Sequence, residues 1–236
     1  MVKKKTPIEA DEDEKLLAIC LPHGGTFQQE LSHLFWRIEL PENYKPIYLA
    51  AQSTDIVTAR NSLVKAALNE KQVEYVFFVD SDQGVGPSVP KRLISKAEEN
   101  NIKVLSALTF ILQNGIPVPL TSSNNNADEK SLDWISETGV IETESVGTGA
   151  LLVHREVFES IEGPAFEQEY DSDGIRSQAE DYIFSQKVHE QGFSTYIDQD
   201  TIVDHYKKMS LKKMLSAISY AISVDPDSPE DFFKGI

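Results

Sequence analysis

Apolar positions along the chain fall into two kinds of run. Short, largely apolar runs at residues 16–21, 47–51, 75–79 and 104–109 read as strands, and the continuous run at 75–79 as one buried on both faces, the habit of a central parallel strand. Between them, apolar residues recur at helical spacing. Phe27, Leu31, Leu34, Phe35 and Ile38 form one stripe, ended by Pro41, and Val57, Leu63, Val64, Ala67 and Leu68 form the next. Ser53, Thr54 or Asp55 is placed to cap that second helix, and Ser88, with Pro90 in the first turn, to cap a third. Strand and helix alternating in this way predict an α/β fold: a mostly parallel central sheet with helices on both faces.

After residue 110 the pattern changes. Residues 111–130 are rich in Pro, Asn and Ser, with Asn124, Asn125 and Asn126 at their centre, and read as one long loop. Extended segments follow at 140–144 and 146–154, and Gly147 and Gly149 inside the second suggest a bulge or a backbone touching a ligand. A smaller mixed second sheet is expected from this half. A short helix is predicted over 156–161. The polar stretch 166–177 holds Asp171, Ser172, Asp173 and Gly174, only a fragment of a calcium loop. Ala179, Glu180 and Asp181 open a helix, 194–197 reads as a strand, and 202–206 as a short extended piece. Residues 1–15 are a charged lead-in expected to be disordered, and 16–206 form one domain with halves at 16–110 and 111–206. Residues 207–236 are a tail in which Leu211, Met214, Leu215, Ile218, Ala221 and Ile222 make an amphipathic stripe beside Lys207, Lys208, Lys212 and Lys213. Such a helix suits packing on its own domain, a homodimer contact or a peripheral membrane contact.

Composition narrows the partners. The formal net charge of −16 over 236 residues makes nucleic acid an unlikely partner, because phosphate backbones need a basic footprint. The single cysteine, Cys20, lies in an apolar run and reads as a small buried hydrophobe in a reducing compartment. No apolar run approaches bilayer length, and residues 1–15 lack the apolar core of a secretory signal, so the expected location is cytoplasmic.

The run at residues 75–79 ends in Asp80-Ser81-Asp82-Gln83. Ligands of open α/β sheets bind beyond the carboxyl ends of the strands, and hard divalent cations take oxygen ligands. Two acids at that position make a candidate metal–phosphate site, and the same residues make an ordinary turn.

In combination with this strand end, Ala59-Arg60-Asn61 upstream resembles the GT-A glycosyltransferases, closest to the family 2 type. The likeness continues through Gly147-Thr148-Gly149 and the apolar run after it, Glu180-Asp181, Glu190-Gln191-Gly192-Phe193 and His205, spanning residues 16–206. The resemblance implies a cation-dependent enzyme, with Mn2+ or Mg2+, that moves a sugar from a nucleotide-diphosphate donor to a glycan or other hydroxyl acceptor. It implies that Asp82 and His205 ligate the cation, with Asp80 on the ribose, the metal or a metal-bound water, and Ser81 beside them. Arg60 would hold the nucleotide end, and Pro22, His23 and Gly24 would line the base pocket, with Asp55 touching base or ribose. Gly147, Thr148 and Gly149 would border the sugar, and Asp181 would be the general base, with Glu180 supporting it or exchanging roles. Inversion at the anomeric carbon is the family tendency. Two departures leave the nucleotide base open: a single acid, Asp55, follows the second strand, and His23-Gly24-Gly25 replaces the usual first loop.

Plainer roles exist for each residue. Arg60 is able to serve only as a structural partner of Asp80, Asp181 to favour a helix N-terminus, and His205 to be an ordinary hydrogen-bonded histidine. Two other functions compete: a nucleotidyltransferase, whose phosphate loop would want a Lys or Arg beside Gly24 and Gly25, and a non-catalytic binding protein on a glycosyltransferase scaffold.

Overall fold

The computed structural model describes residues 14–113, 116–120 and 138–208, with positions 212, 215 and 219 of the tail. Residues 1–13 of the lead-in, the asparagine run at 124–126 and most of the tail lie outside these residues. Lys15, read as the end of a disordered lead-in, is instead the first residue of the first strand, paired with Tyr44 of the second. β1 (Lys15–His23), α1 (Leu31–Arg37), β2 (Tyr44–Gln52), α2 (Ile56–Leu68) and β3 (Val73–Val79) follow one another in the predicted order, although α1 is shorter than its apolar stripe, with Phe27 exposed before it and Ile38 just past its end. The short β4 (Gln83–Gly84) and α3 (Val89–Glu99) lead to β5 (Val104–Leu108). Then come the hairpin β6 (Phe110–Gln113) with β7 (Ile116–Pro119), β8 (Val140–Thr143), β9 (Ala150–His154) and α4 (Arg155–Ser160). The hairpin β10 (Glu169–Tyr170) with β11 (Arg176–Gln178), α5 (Glu180–Glu190), β12 (Thr195–Ile202) and β13 (Asp204–His205) complete the described chain.

Seven strands form the central sheet in the order β2-β1-β3-β9-β5-β12-β8. β1 pairs in parallel with β2 and β3, and β5 with β12, while β9 and β8 run against their neighbours. β3 shows why a continuous apolar run was needed. Val76 and Phe78 face a core with Leu63, Val64 and Ala67 of α2, Phe158 of α4 and Phe184 of α5. Tyr75, Phe77 and Val79 face the opposite core, with Leu31 and Leu34 of α1 and Leu93, Ile94 and Ala97 of α3. Cys20 is completely buried in the first of these cores, and burial pushes its thiol pKa up.

Three expectations are corrected. The segment after residue 110 is not a loop throughout, because β6 and β7 pair antiparallel from Phe110↔Pro119 to Gln113↔Ile116. Pro117 and Pro119 hid this from a reading of local pattern, since proline is accepted in a strand only at an edge. The glycines at 147 and 149 precede β9 instead of lying in it. Ser88 stands at the head of α3, but its side chain makes no capping hydrogen bond.

The insertion of β9 between β3 and β5 positions the site. Because β9 is antiparallel to β3, Ala150 opposes Val79, so the chain enters β9 where β3 ends. Gly147, Thr148 and Gly149 are thereby brought beside Asp80, whose backbone N–H donates to the Gly149 carbonyl at 3.1 Å.

Candidate metal and acid-base site

Asp80 to Gln83 form a hydrogen-bonded turn, with the Gln83 N–H donating to the Asp80 carbonyl at 3.1 Å. The turn reading of the Asp-Ser-Asp sequence therefore holds, and a turn does not exclude the site reading. The Ser81 carbonyl accepts from the Gln28 N–H at 2.8 Å, which ties the chain leaving β1 to this turn. From the far end of the sequence β13 pairs antiparallel with β4, His205 opposite Gln83, and the Tyr206 N–H donates to the Asp82 carbonyl at 2.8 Å. Gly84 is needed at this crossing, because a Cβ there would meet the Tyr206 ring at 2.8 Å.

These backbone links place His205 Nε2 3.2 Å from Asp82 Oδ2, across 123 positions of sequence. Nδ1 of the same ring lies 2.7 Å from the Phe110 carbonyl oxygen. A carbonyl only accepts, so Nδ1 carries the proton and donates, and in the neutral ring the Nε2 lone pair faces Asp82. Lys207 Nζ also reaches Asp82 Oδ2, at 2.5 Å. Burial opposes ionisation of Asp82, but hydrogen bonds and charge from His205 and Lys207 outweigh it and hold the carboxyl down at about 2. The hydrogen bond to Asp82, partly offset by burial, raises the His205 pKa.

Among the described residues no three His, Cys, Asp or Glu side chains converge as a ready-made metal cage. The pair Asp82 and His205 still fits a divalent cation of the Mg2+ or Mn2+ kind, which takes few protein ligands and completes its shell with phosphate oxygens and water. The Phe110 carbonyl is the sort of outer partner that orients a ligating imidazole. Asp80 has a different task in the structure, because its carboxylate is engaged elsewhere.

Arg60, on the first turns of α2, is 2 % exposed. Its guanidinium donates to Asp80 Oδ1 at 2.8 Å and to Glu180 Oε1 at 2.5 Å, and its Cζ stands 5.7 Å from the Phe166 ring centroid. Its buried Nε has no hydrogen-bond partner among the described residues. Arg60 thus joins the acid turn after β3 to the acid pair at the head of α5. The adjacent Asn61 holds the same region by exchanging two hydrogen bonds with the Phe166 backbone, at 2.8 and 3.0 Å.

Glu180 and Asp181 differ sharply. Glu180 also accepts from Gln168 Nε2 at 3.2 Å, so both its oxygens are occupied; burial disfavours its charge, but Arg60 prevails and lowers its pKa. Asp181 accepts the Tyr182 N–H at 2.9 Å, and among the described residues no cationic side chain lies within ion-pair distance of it. Burial, then the neighbouring Glu180 charge, raises its pKa. A carboxylate with a raised pKa is the better proton acceptor of the two.

The remaining predicted residues are placed as follows. Gly147 and Gly149 are filled by the protein's own side chains: a Cβ on Gly147 would overlap Leu120, and one on Gly149 would stand 2.6 Å from Gln83 Nε2. Thr148 between them is buried. Pro22 is buried and Gly24 exposed at the end of β1, and His23 Nδ1 accepts the Gly25 N–H at 3.1 Å. Asp55 caps α2, accepting from the Val57 and Thr58 N–H groups at 3.2 and 3.1 Å and from the Thr58 hydroxyl, and the Thr58 bond lowers its pKa. Reading of the sequence put Asn61 in the Ala-Arg-Asn motif and Lys207 on the basic side of the tail without giving either a place in the site, and it passed over Gln168. For Lys207 a signal existed, a lysine two positions beyond His205; Gln168 offers none.

No protein-family profile matches the chain, and no curated protein matches it by sequence. Solved structures do match. A197 from STIV superposes with a TM-score of 0.54 at 17 % identity, covering 82 % of this chain and 86 % of that one. GalNAc-T7, solved with UDP, GalNAc and Mn2+, superposes with a TM-score of 0.55 at 13 % identity over 94 % of this chain. The chain spans only 50 % of that protein's length. At these identities the likeness is one of fold, and the fold is a GT-A-like, Rossmann-related α/β domain.

Proposed function

We propose that the protein is a cation-dependent glycosyltransferase that moves a sugar from a nucleotide-diphosphate donor to an acceptor hydroxyl. The observation that carries this reading is the meeting of Asp82 and His205 at the carboxyl end of β3, joined through Asp80 and Arg60 to Glu180, beside Asp181. The fold shared with a protein solved with UDP, GalNAc and Mn2+ supports the donor class. Asp82 and His205 would hold the cation, which would supply Lewis-acid neutralisation of the departing diphosphate.

The protein's own groups do the rest. Asp181 accepts the acceptor hydroxyl proton as that oxygen bonds to the anomeric carbon, and the bond to the β-phosphate oxygen breaks with its electron pair on phosphate. One displacement of this kind inverts the anomeric centre. Glu180 is a tether that holds the head of α5 against Arg60. Gly147 to Gly149, packed on Leu120 and Gln83, would border the sugar, and Pro22, His23 and Gly24 would line the base pocket. The acceptor, a glycan or another hydroxyl compound, would approach from the β10–β11 side.

A panel of uridine, guanosine, cytidine and thymidine diphosphate sugars, incubated with Mn2+, tests this reading. Release of a nucleoside diphosphate from at least one donor, abolished by chelation, is the expected result. No release from any donor, with no nucleotide bound, would sink it.

A further inference from the structure

Lys207 has no part in the chemistry above, yet it occupies the central carboxylate. Its ammonium and the His205 imidazole share one oxygen, Oδ2 of Asp82, at 2.5 and 3.2 Å. The two are anchored very differently. His205 is 13 % exposed, lies in a paired strand and is fixed by the Phe110 carbonyl. Lys207 is 45 % exposed and lies beyond the end of β13, so its side chain can swing away while the strand stays.

Resting on the glycosyltransferase reading, we propose that Lys207 is an exchangeable counter-ion: it holds Asp82 in the ligand-free protein and contacts the donor diphosphate when a divalent cation occupies Asp82. Charge accounting supports the exchange. Asp80 is already matched by Arg60, so Asp82 is the acid whose neutralisation must come from Lys207 and His205 or from a cation. Two positive groups are poorly accommodated on a single carboxylate oxygen, so the flexible ammonium is the one displaced. A diphosphate donor brings negative charge on each phosphate and gains more as the sugar leaves. The freed ammonium is a compact, mobile charge suited to follow it. The chain carries a net charge of −16, so an anionic donor approaching this end needs local positive charge, which Lys207 and Lys208 supply.

An ordinary exposed ion pair would leave binding nearly unaltered. Exchange instead makes one substitution act with opposite sign on two ligands. Calorimetric titration of Lys207→Met with MnCl2 alone, and with UDP in saturating Mn2+, tests it. The expected results are Mn2+ affinity raised about 3- to 10-fold, because a competitor is gone, and UDP affinity lowered about 5- to 20-fold, because a phosphate contact is gone. Lys207→Arg should retain UDP affinity. Unchanged or weaker Mn2+ binding, or unchanged UDP binding, would overturn the exchange while leaving the proposed function standing. A wild-type protein that binds neither ligand would instead overturn the function itself, and that result looks different from both.

Discussion

β3 carries a polar cluster at each end, and the two are built on different terms. At its start, Lys15 Nζ lies 3.3 Å from Glu74 and 3.2 Å from Glu98, Tyr44 donates to Glu98 at 2.8 Å, and His154 faces Glu74 at 3.4 Å. Each of these acids meets a protein cation, and the cluster needs nothing from outside. At the other end Asp82 is held by His205 and a half-exposed lysine, and Asp181 has no cation within ion-pair distance among the described residues. The lesson is that clustered acids alone do not mark a site. An acid left incompletely balanced does, and it lies where ligands of open α/β sheets enter.

The largest expected effect breaks the chemistry while sparing binding. Asp181→Asn should leave nucleotide affinity unchanged and lower transfer by about 10²–10⁴-fold, measured as initial rates. Equal turnover would remove Asp181 from the mechanism. Stability gives a second reading of the same variant. The raised folded-state pKa of Asp181 means that its ionisation favours the unfolded chain, so the wild type loses stability as pH rises through that pKa. Asp181→Asn should therefore melt higher than wild type near neutrality, with the gain vanishing below about pH 4. A gain that grew toward low pH would contradict the assignment.

Next in size is the link between the two acid groups. Arg60→Met strands the half-buried Asp80 and Glu180 without their shared cation, and should cost about 3–5 kcal/mol in denaturant unfolding. A loss below about 1 kcal/mol would show the link to be incidental. Gly149→Ala pushes a methyl group against the buried Gln83 amide and should cost about 1–3 kcal/mol. The smallest effect belongs to the opposite end of β3: Lys15→Met removes a partly exposed pair and should change stability by about 1 kcal/mol or less, without changing nucleotide affinity. Altered nucleotide binding in that variant would erase the distinction between the two ends.

Much of the fold was legible because local patterns encode it. The unbroken apolar run of β3 and the stripe of α2 follow from burial on two faces and on one. The position of β9 was not legible, since pairing across 75 positions, as between Phe77 and Leu152, leaves no local period; nor was the β6–β7 hairpin, whose prolines argue against a strand. In the site, the order of Arg60, Asp82, Asp181 and His205 was visible as motif. What each side chain touches was not. Asp55 read equally as a cap and as a nucleotide contact, and its carboxylate caps α2. Glu180 and Asp181 are neighbours of the same chemical type, and only the partners Arg60 and Gln168 tell them apart.

The central claim is that Asp82 and His205 together hold the cation through which a nucleoside diphosphate binds. Titration of UDP into the wild type, Asp82→Asn and His205→Ala, each with and without Mn2+, tests it most directly. The account predicts UDP binding that requires Mn2+ and is lost in both variants. UDP binding that ignores Mn2+, or that survives either substitution undiminished, would contradict it.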